Sequence, residues 1–187
     1  MIDDLRRTLE KIEHHAYSYK ELSAAVQAQK FNDVRMRLFI FEKLPQTVDL
    51  DHFFKDGVNC AAILLPLKSH GQLVRHWAGL MKHQGRIEFF ESFALSYYQL
   101  KDYLGGFSQL MDLLIEKGIP RNKTQVQSKL HNEATCGAHL ICRFCIGLKQ
   151  SNREYAQGLM RMRTQGLTTD KIVTMLTMWT VFPLNKK

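Results

Sequence analysis

Hydrophobic and polar positions along the 187-residue chain change period several times, and the changes predict a mixture of helices and strands. Residues 4–28 carry apolar side chains every three or four positions, which is the period of one or two amphipathic helices. Residues 34–41 alternate instead, with Val34 and Met36 among the apolar positions and arginines between them. This alternation predicts a half-buried strand, which we expect Pro45 to end.

The next segments read as the remaining strands of a sheet. A nearly continuous apolar run over 58–67, closed by Pro66, is typical of a central strand. Strands are also predicted at 73–82 and 86–93, because the Gln84-Gly85 loop between them favours a hairpin. A short, polar strand is predicted near 123–127.

The second half of the chain is mainly helical in its pattern. Helices are predicted over five segments, 97–104, 107–117, 135–149, 154–163 and 168–180. The whole pattern predicts one α+β domain with a small central mixed or antiparallel sheet packed by helices. Its parts are a helical N-terminal segment (1–30), a core (about 31–150) and C-terminal helices (151–187).

Composition narrows the class of protein. Hydrophobic residues make up 45% and charged residues 24% of the chain, as in a soluble globular protein. No apolar run approaches the roughly 18 residues of a membrane span, and no secretory signal is visible. We therefore expect an intracellular protein without a membrane partner. The net charge of +8 favours acidic partners such as DNA, although scattered basic residues also suit an ordinary solvated surface.

Cysteine spacing raises the question of a metal site. There are four cysteines, at Cys60, Cys136, Cys142 and Cys145, and an intracellular protein is expected to keep them reduced. The last two form a C-x-x-C motif, but no second ligand pair stands at the spacing of a structural zinc site. The apolar residues around the motif favour buried helix thiols, and we expect no metal or cofactor.

The hairpin places two candidate catalytic residues together. With a two-residue loop, Ala78 faces Glu91, and His76 becomes the diagonal neighbour of Glu91 on the same face of the sheet. Diagonal Cα atoms lie about 7–8 Å apart, within reach of long side chains. The carboxylate can then orient the imidazole and support its charge. A slip of one residue would separate the two side chains.

A candidate nucleophile stands at the start of a predicted helix. Cys136 precedes Gly137 there, where unpaired N–H groups and the helix dipole favour a thiolate. Gly137 allows a substrate or a neighbouring backbone to approach closely. The N–H of Cys136 and the side-chain amide of Gln127 are candidate donors to an oxyanion.

These residues resemble the adenovirus maturation proteases (adenains), which belong with the ubiquitin-like-protein-specific cysteine proteases. The likeness covers about residues 58–150 and rests on three motifs, His76-Trp77, Phe89-Phe90-Glu91-Ser92-Phe93-Ala94-Leu95-Ser96, and Val126-Gln127 ahead of Ala134-Thr135-Cys136-Gly137. It implies an adenain-like fold in which His76 is the base, Glu91 orients it and Cys136 attacks.

One spacing departs from the family pattern. Gln127 lies nine residues before Cys136, slightly further than in the relatives, so that Gln125 and, less readily, Asn132 are alternative oxyanion donors. Trp77 is expected either beside the site or as a core aromatic.

The resemblance also implies a biological role. It implies a cysteine endopeptidase that processes capsid or core precursors of a DNA virus, virophage or virus-like transposon, often after glycine, in the host cell and the virion. It also implies activation by DNA or by a viral peptide. We expect a monomer and no cofactor. Two alternatives stay open: a deubiquitinating or deSUMOylating isopeptidase acting on host proteins, and a non-catalytic basic protein that binds DNA or capsid with the same fold.

Overall fold

Four strands form one mixed sheet at the centre of the protein. The structure is a computed structural model that describes residues 7, 16–28, 33–69, 71–128, 134–163 and 167–181. Its strands are β1 (Met36–Ile40), β2 (Cys60–Ser69), β3 (Gln72–His83) and β4 (Arg86–Glu91). They lie side by side in chain order, with β1 parallel to β2 and the other neighbours antiparallel. The predicted α+β class with a small mixed sheet is confirmed.

A tight turn sets the register between β3 and β4. Gln84 and Gly85 have φ angles of 49° and 78°, and two positive φ values are what a type I′ hairpin turn requires. Ala78 consequently pairs with Glu91, which confirms the predicted register. β4 ends at this pair, whereas β3 continues past it towards Gln72.

Helices cover both faces of the sheet. They are α1 (Tyr19–Ala28), α2 (Leu50–Phe53), α3 (Tyr97–Tyr103), α4 (Gln109–Glu116), α5 (Cys136–Cys145), α6 (Asn152–Met162) and α7 (Thr169–Val181). Side chains from α1, α5, α6 and α7 form one buried cluster with the sheet, and side chains from α2, α3 and α4 form another. In β3, for example, Trp77 and Met81 join the first cluster, while Ala78 and Leu80 join the second.

Burial on two faces explains one difference from prediction. β1 spans Met36–Ile40, and its most buried side chain is Phe39, which lies on the face opposite to the predicted apolar one. Phe39 packs on Phe53 of α2, with ring centroids 5.0 Å apart. Because both faces are covered, alternation does not identify a single buried side. The strand ends before Pro45, at a short 3₁₀ turn over 41–43.

Two other predictions are wrong in detail. Pro66 lies within β2, which continues to Ser69. β1 pairs only as far as Leu64, so the missing N–H of Pro66 falls beyond the parallel ladder, where a proline is tolerated. The predicted strand at 123–127 is not a strand; in that region only Arg121 makes an isolated bridge, to Phe89.

The five helices predicted in the second half of the chain are found, with ends that differ from the predicted ones by at most four residues. Of the amphipathic segment at 4–28, α1 covers the last part, and residues 4–6 and 8–15 lie outside the described residues. Within the described ranges, no helix has the length and apolar character needed to cross a membrane.

Helix α5 packs directly on β3 at a glycine. A Cβ atom at Gly79 would lie 2.6 Å from both Leu140 Cδ1 and Phe144 Cζ. Since real Cβ contacts are not that short, the helix approaches the sheet only because position 79 has no side chain. This close packing holds the first residue of α5, Cys136, near the end of the sheet.

We therefore expect Gly79→Ala to lower the free energy of unfolding by about 1–3 kcal/mol, because the added methyl overpacks the contact between α5 and β3. Urea denaturation followed by circular dichroism measures the change. The matched control is Gly158→Ala in α6, where nothing lies within 4 Å of the new Cβ. There the higher helix propensity of alanine should raise the free energy of unfolding by about 0.5–1 kcal/mol. Equal stability of the two variants would contradict the packing argument.

Candidate active site

The structure brings His76 and Glu91 into direct contact. The Nε2 atom of His76 lies 2.6 Å from Oε1 of Glu91, as the diagonal placement in the hairpin predicts. The two side chains are 3% and 0% exposed, so water does not weaken the interaction. The ring of Phe93 stacks on the imidazole with centroids 5.0 Å apart. The imidazole is therefore held in one orientation, with Nε2 bound to the carboxylate.

The carboxylate of Glu91 is itself fixed by the turn that follows β4. Its Oε1 accepts the N–H of Phe93 at 2.9 Å, and its Oε2 accepts the N–H of Leu95 at 2.8 Å. Hydrogen bonds from backbone amides favour the ionised form of a buried carboxylate. These backbone bonds fix the carboxylate where it meets the imidazole.

Asn122 holds the backbone of Glu91 in place. Its Oδ1 accepts the N–H of Glu91 at 2.9 Å, and its Nδ2 donates to the carbonyl of Glu91 at 2.6 Å. Asn122 is 3% exposed and takes the place of a neighbouring strand at the end of β4. The sequence analysis did not identify Asn122, because a single side chain that bonds to the backbone of a strand leaves no periodic pattern in the sequence.

Cys136 lies where three hydrogen-bond donors converge on its sulphur. It is the first residue of α5 and is partly exposed. β4 ends at Glu91, opposite Ala78 of β3. The backbone N–H of Trp77, the residue before Ala78, donates to the sulphur, and so does the N–H of Gly137. The third donor is His76. Because Nε2 of His76 binds Glu91, its Nδ1 is the nitrogen left for the thiol.

These contacts shift both pKa values towards an ion pair. Burial would raise the pKa of the Cys136 thiol, but the hydrogen bond and charge of His76 and the two backbone N–H groups lower it. Burial would lower the pKa of His76, but its hydrogen bonds to Cys136 and Glu91 and their charges raise it to about 10. Both shifts favour a thiolate–imidazolium pair over the neutral thiol and imidazole.

The side chain of Gln127 is oriented by Ser92. The hydroxyl of Ser92 donates to Oε1 of Gln127 at 2.6 Å, and the carbonyl of Ser92 accepts the N–H of Gln127 at 3.1 Å. This bond fixes the orientation of the amide, with its oxygen towards Ser92. Gln127 is 3% exposed.

The alternative donors are less suitably placed. Gln125 is exposed and donates its Nε2 to the carbonyl of Gln127 at 2.7 Å. Asn132 lies outside the described residues. Of the two amides that the structure describes, Gln127 is the buried one and Gln125 is exposed.

Two neighbours of the site have structural roles. Trp77 is a buried core residue whose Nε1 donates to the carbonyl of Tyr17 at 2.9 Å. Gly137 admits Tyr17 rather than a substrate, since a Cβ there would lie 2.7 Å from Cβ of Tyr17. Tyr17, which belongs to a part of the chain without a recognisable motif, therefore packs against the first turn of α5.

The other three thiols differ from Cys136. Cys60, Cys142 and Cys145 are buried and unpaired by disulfides, which confirms the prediction of buried helix thiols for the C-x-x-C motif. Burial raises the pKa of Cys145 to about 12 and that of the other two still further. Such thiols are poor nucleophiles at neutral pH.

No protein-family model matches the sequence, and no curated protein matches it at a significant level.

Removal of the Asn122 side chain should destabilise the fold more than removal of an equivalent exposed side chain. Asn122→Ala leaves the buried N–H and carbonyl of Glu91 without their partner, and should lower the free energy of unfolding by about 3 kcal/mol. The matched control is Asn59→Ala, because Asn59 also binds one backbone N–H and one carbonyl, those of Arg35 and Asp33, but in an exposed setting. We expect the control to lose less than about 1 kcal/mol. Similar losses in urea denaturation would contradict the role given to Asn122.

Proposed function

We propose that this chain is a cysteine peptidase with an adenain-like fold. The observation that carries the proposal is the continuous contact from Cys136 through His76 to Glu91, with the sulphur at a helix N-terminus and the carboxylate buried. Nucleophile, base and orienting acid are thus within hydrogen-bond reach of one another, as nucleophilic catalysis requires.

The first half of the reaction would form an acyl-enzyme. The thiolate of Cys136 attacks the carbonyl carbon of the scissile peptide bond, and the carbonyl oxygen becomes an oxyanion. The imidazolium of His76 then gives its Nδ1 proton to the departing amine as the carbon–nitrogen bond breaks. The products of this half-reaction are a thioester on Cys136, a free amine and a neutral His76.

The second half would release the acid. Neutral His76 takes a proton from water, which attacks the thioester carbonyl, and the carbon–sulphur bond breaks to return the thiolate. In both halves the oxyanion would accept hydrogen bonds from the N–H of Cys136 and the side-chain amide of Gln127. One such donor contributes about 10²–10³ in kcat.

The resemblance to adenains supports a more specific role. We propose that the substrate is a protein precursor of a viral capsid or core, cleaved after a small residue, and that the enzyme acts in the infected cell and the virion. The net charge of +8 supports DNA as an activator through contacts with phosphates.

Selective alkylation tests the catalytic pair. At pH 6.5 an ordinary thiol of pKa about 8.5 is only about 1% thiolate. We expect iodoacetamide to modify Cys136 at this pH at least tenfold faster than the other three cysteines, as located by mass spectrometry. His76→Ala should abolish the advantage at low pH, because it removes the charge that stabilises the thiolate.

Hydrolysis of fluorogenic peptides with a small residue before the scissile bond then tests turnover. Cys136→Ala should be inactive, and Glu91→Gln should lower kcat by roughly 10²-fold, because the imidazole loses its charged partner. Slow, uniform labelling of all four cysteines that does not depend on His76 would overturn the proposal.

A further inference from the structure

A buried carboxylate near the first turn of α5 takes no part in the proposed chemistry. Asp170 lies at the start of α7 and is 1% exposed. A carboxylate is not buried without several hydrogen bonds or a charged partner, because desolvation of the charge is costly. The sequence pattern places Asp170 only in the first turn of a C-terminal helix, so its partners emerge from the structure alone.

Asp170 binds three groups from two other segments of the chain. Its Oδ2 accepts the N–H of Ser128 at 2.8 Å, and its Oδ1 accepts the hydroxyl of Thr135 and Nε2 of His139, the latter at 3.0 Å. Burial would raise the pKa of Asp170, but its hydrogen bonds to His139, Thr135 and Ser128 lower it. The group is therefore an ionised acceptor for all three donors.

The positions of these donors connect the two halves of the candidate oxyanion hole. Ser128 directly follows Gln127, and Thr135 directly precedes Cys136. The neighbouring Thr169 hydroxyl also binds the carbonyl of Val126. Two consecutive residues of α7 thus hold both sides of Gln127, and one of them also holds the residue before the nucleophile.

We propose that Asp170 is a positioning residue that sets the placement of the Gln127 amide relative to the N–H of Cys136. The inference rests on the proposed peptidase function, since only an oxyanion would use both donors at once. Removal of one oxyanion donor costs about 10²–10³ in kcat, and a displacement of about 1 Å can cost 10²-fold. A carboxylate that holds both segments can therefore control turnover without touching the substrate.

The decisive variant is Asp170→Asn in the full chain. The asparagine keeps the shape of the side chain but replaces one acceptor oxygen with a donor, so at least one of the three contacts is lost. We expect kcat for the fluorogenic peptide to fall about 10²-fold, with KM within about threefold of the wild-type value. Alkylation of Cys136 by iodoacetamide, which forms no oxyanion, should keep the wild-type rate and pH profile.

Two substitutions at Thr135 keep the test decisive even if Asp170→Asn does not fold. Thr135→Ser retains the hydroxyl that binds Asp170 and should keep kcat within about twofold. Thr135→Val retains the shape without the hydroxyl and should lower kcat about tenfold, again without slowing alkylation of Cys136. Equal kcat values for the two variants would contradict the proposal.

A control variant separates positioning from stability. Glu88 is a buried carboxylate that binds Arg143, near the far end of α5, and the N–H of Asn152. Glu88→Gln should lower the melting temperature as Asp170→Asn does, but leave kcat unchanged. If kcat falls in both variants in proportion to stability, Asp170 has only a structural role.

Failure of this inference can be distinguished from failure of the peptidase proposal. Selective alkylation of Cys136 and peptide hydrolysis by the wild-type protein test the proposed function. If both are observed and Asp170→Asn turns over at the wild-type rate, only the role of Asp170 is wrong. If the wild-type protein shows neither, the peptidase function and this inference fail together.

Discussion

The contact between the imidazole of His76 and the carboxylate of Glu91 is the interaction on which the rest of the candidate site depends. It exists because a two-residue turn pairs Ala78 with Glu91 and so brings His76 to the diagonal position. A shift of one residue in the hairpin would turn one of the two side chains to the other face of the sheet. The geometry of Gln84 and Gly85 therefore determines whether the site can form.

The surrounding structure stabilises this buried pair by hydrogen bonds that replace the lost water. Ionised groups in a nonpolar interior are strongly destabilised unless hydrogen bonds replace the lost water. Here backbone N–H groups supply most of the replacement, at the turn after Glu91 and at the start of α5 around Cys136. Because these donors belong to the backbone, they stay in place while charge moves between the thiol and the imidazole.

Local sequence patterns predict much of the fold, but they do not predict contacts between distant segments of the chain. The hairpin and α3 to α7 are predictable because turn residues and apolar periodicity are local properties of the chain. The segment at 123–127 looks like a strand in sequence but forms no ladder, since the single carbonyl of Ser92 accepts the N–H groups of both Val126 and Gln127. Beside it, the Asn122 side chain supplies the partners that a further strand would have given Glu91. Asn122, Ser92 and Asp170 could not be found from the sequence, because their hydrogen bonds join segments that only the tertiary structure brings together.

The residues of the candidate site also differ in how far the sequence alone suggests them. His76, Glu91 and Cys136 are suggested by their spacing and by the elements on which they lie, whereas the choice of Gln127 over Gln125 depends on the contact with Ser92. In the proposed mechanism, His76 carries a positive charge beside the Cys136 thiolate.

Nitrogen-15 NMR of the histidine side chains reports the charge of His76. We predict that both ring nitrogens of His76 remain protonated at pH 8, well above the ordinary histidine pKa of about 6.5, and that Cys136→Ala lowers the pKa of His76. A neutral His76 at pH 8 in the wild-type protein, unchanged by loss of the thiol, would contradict it.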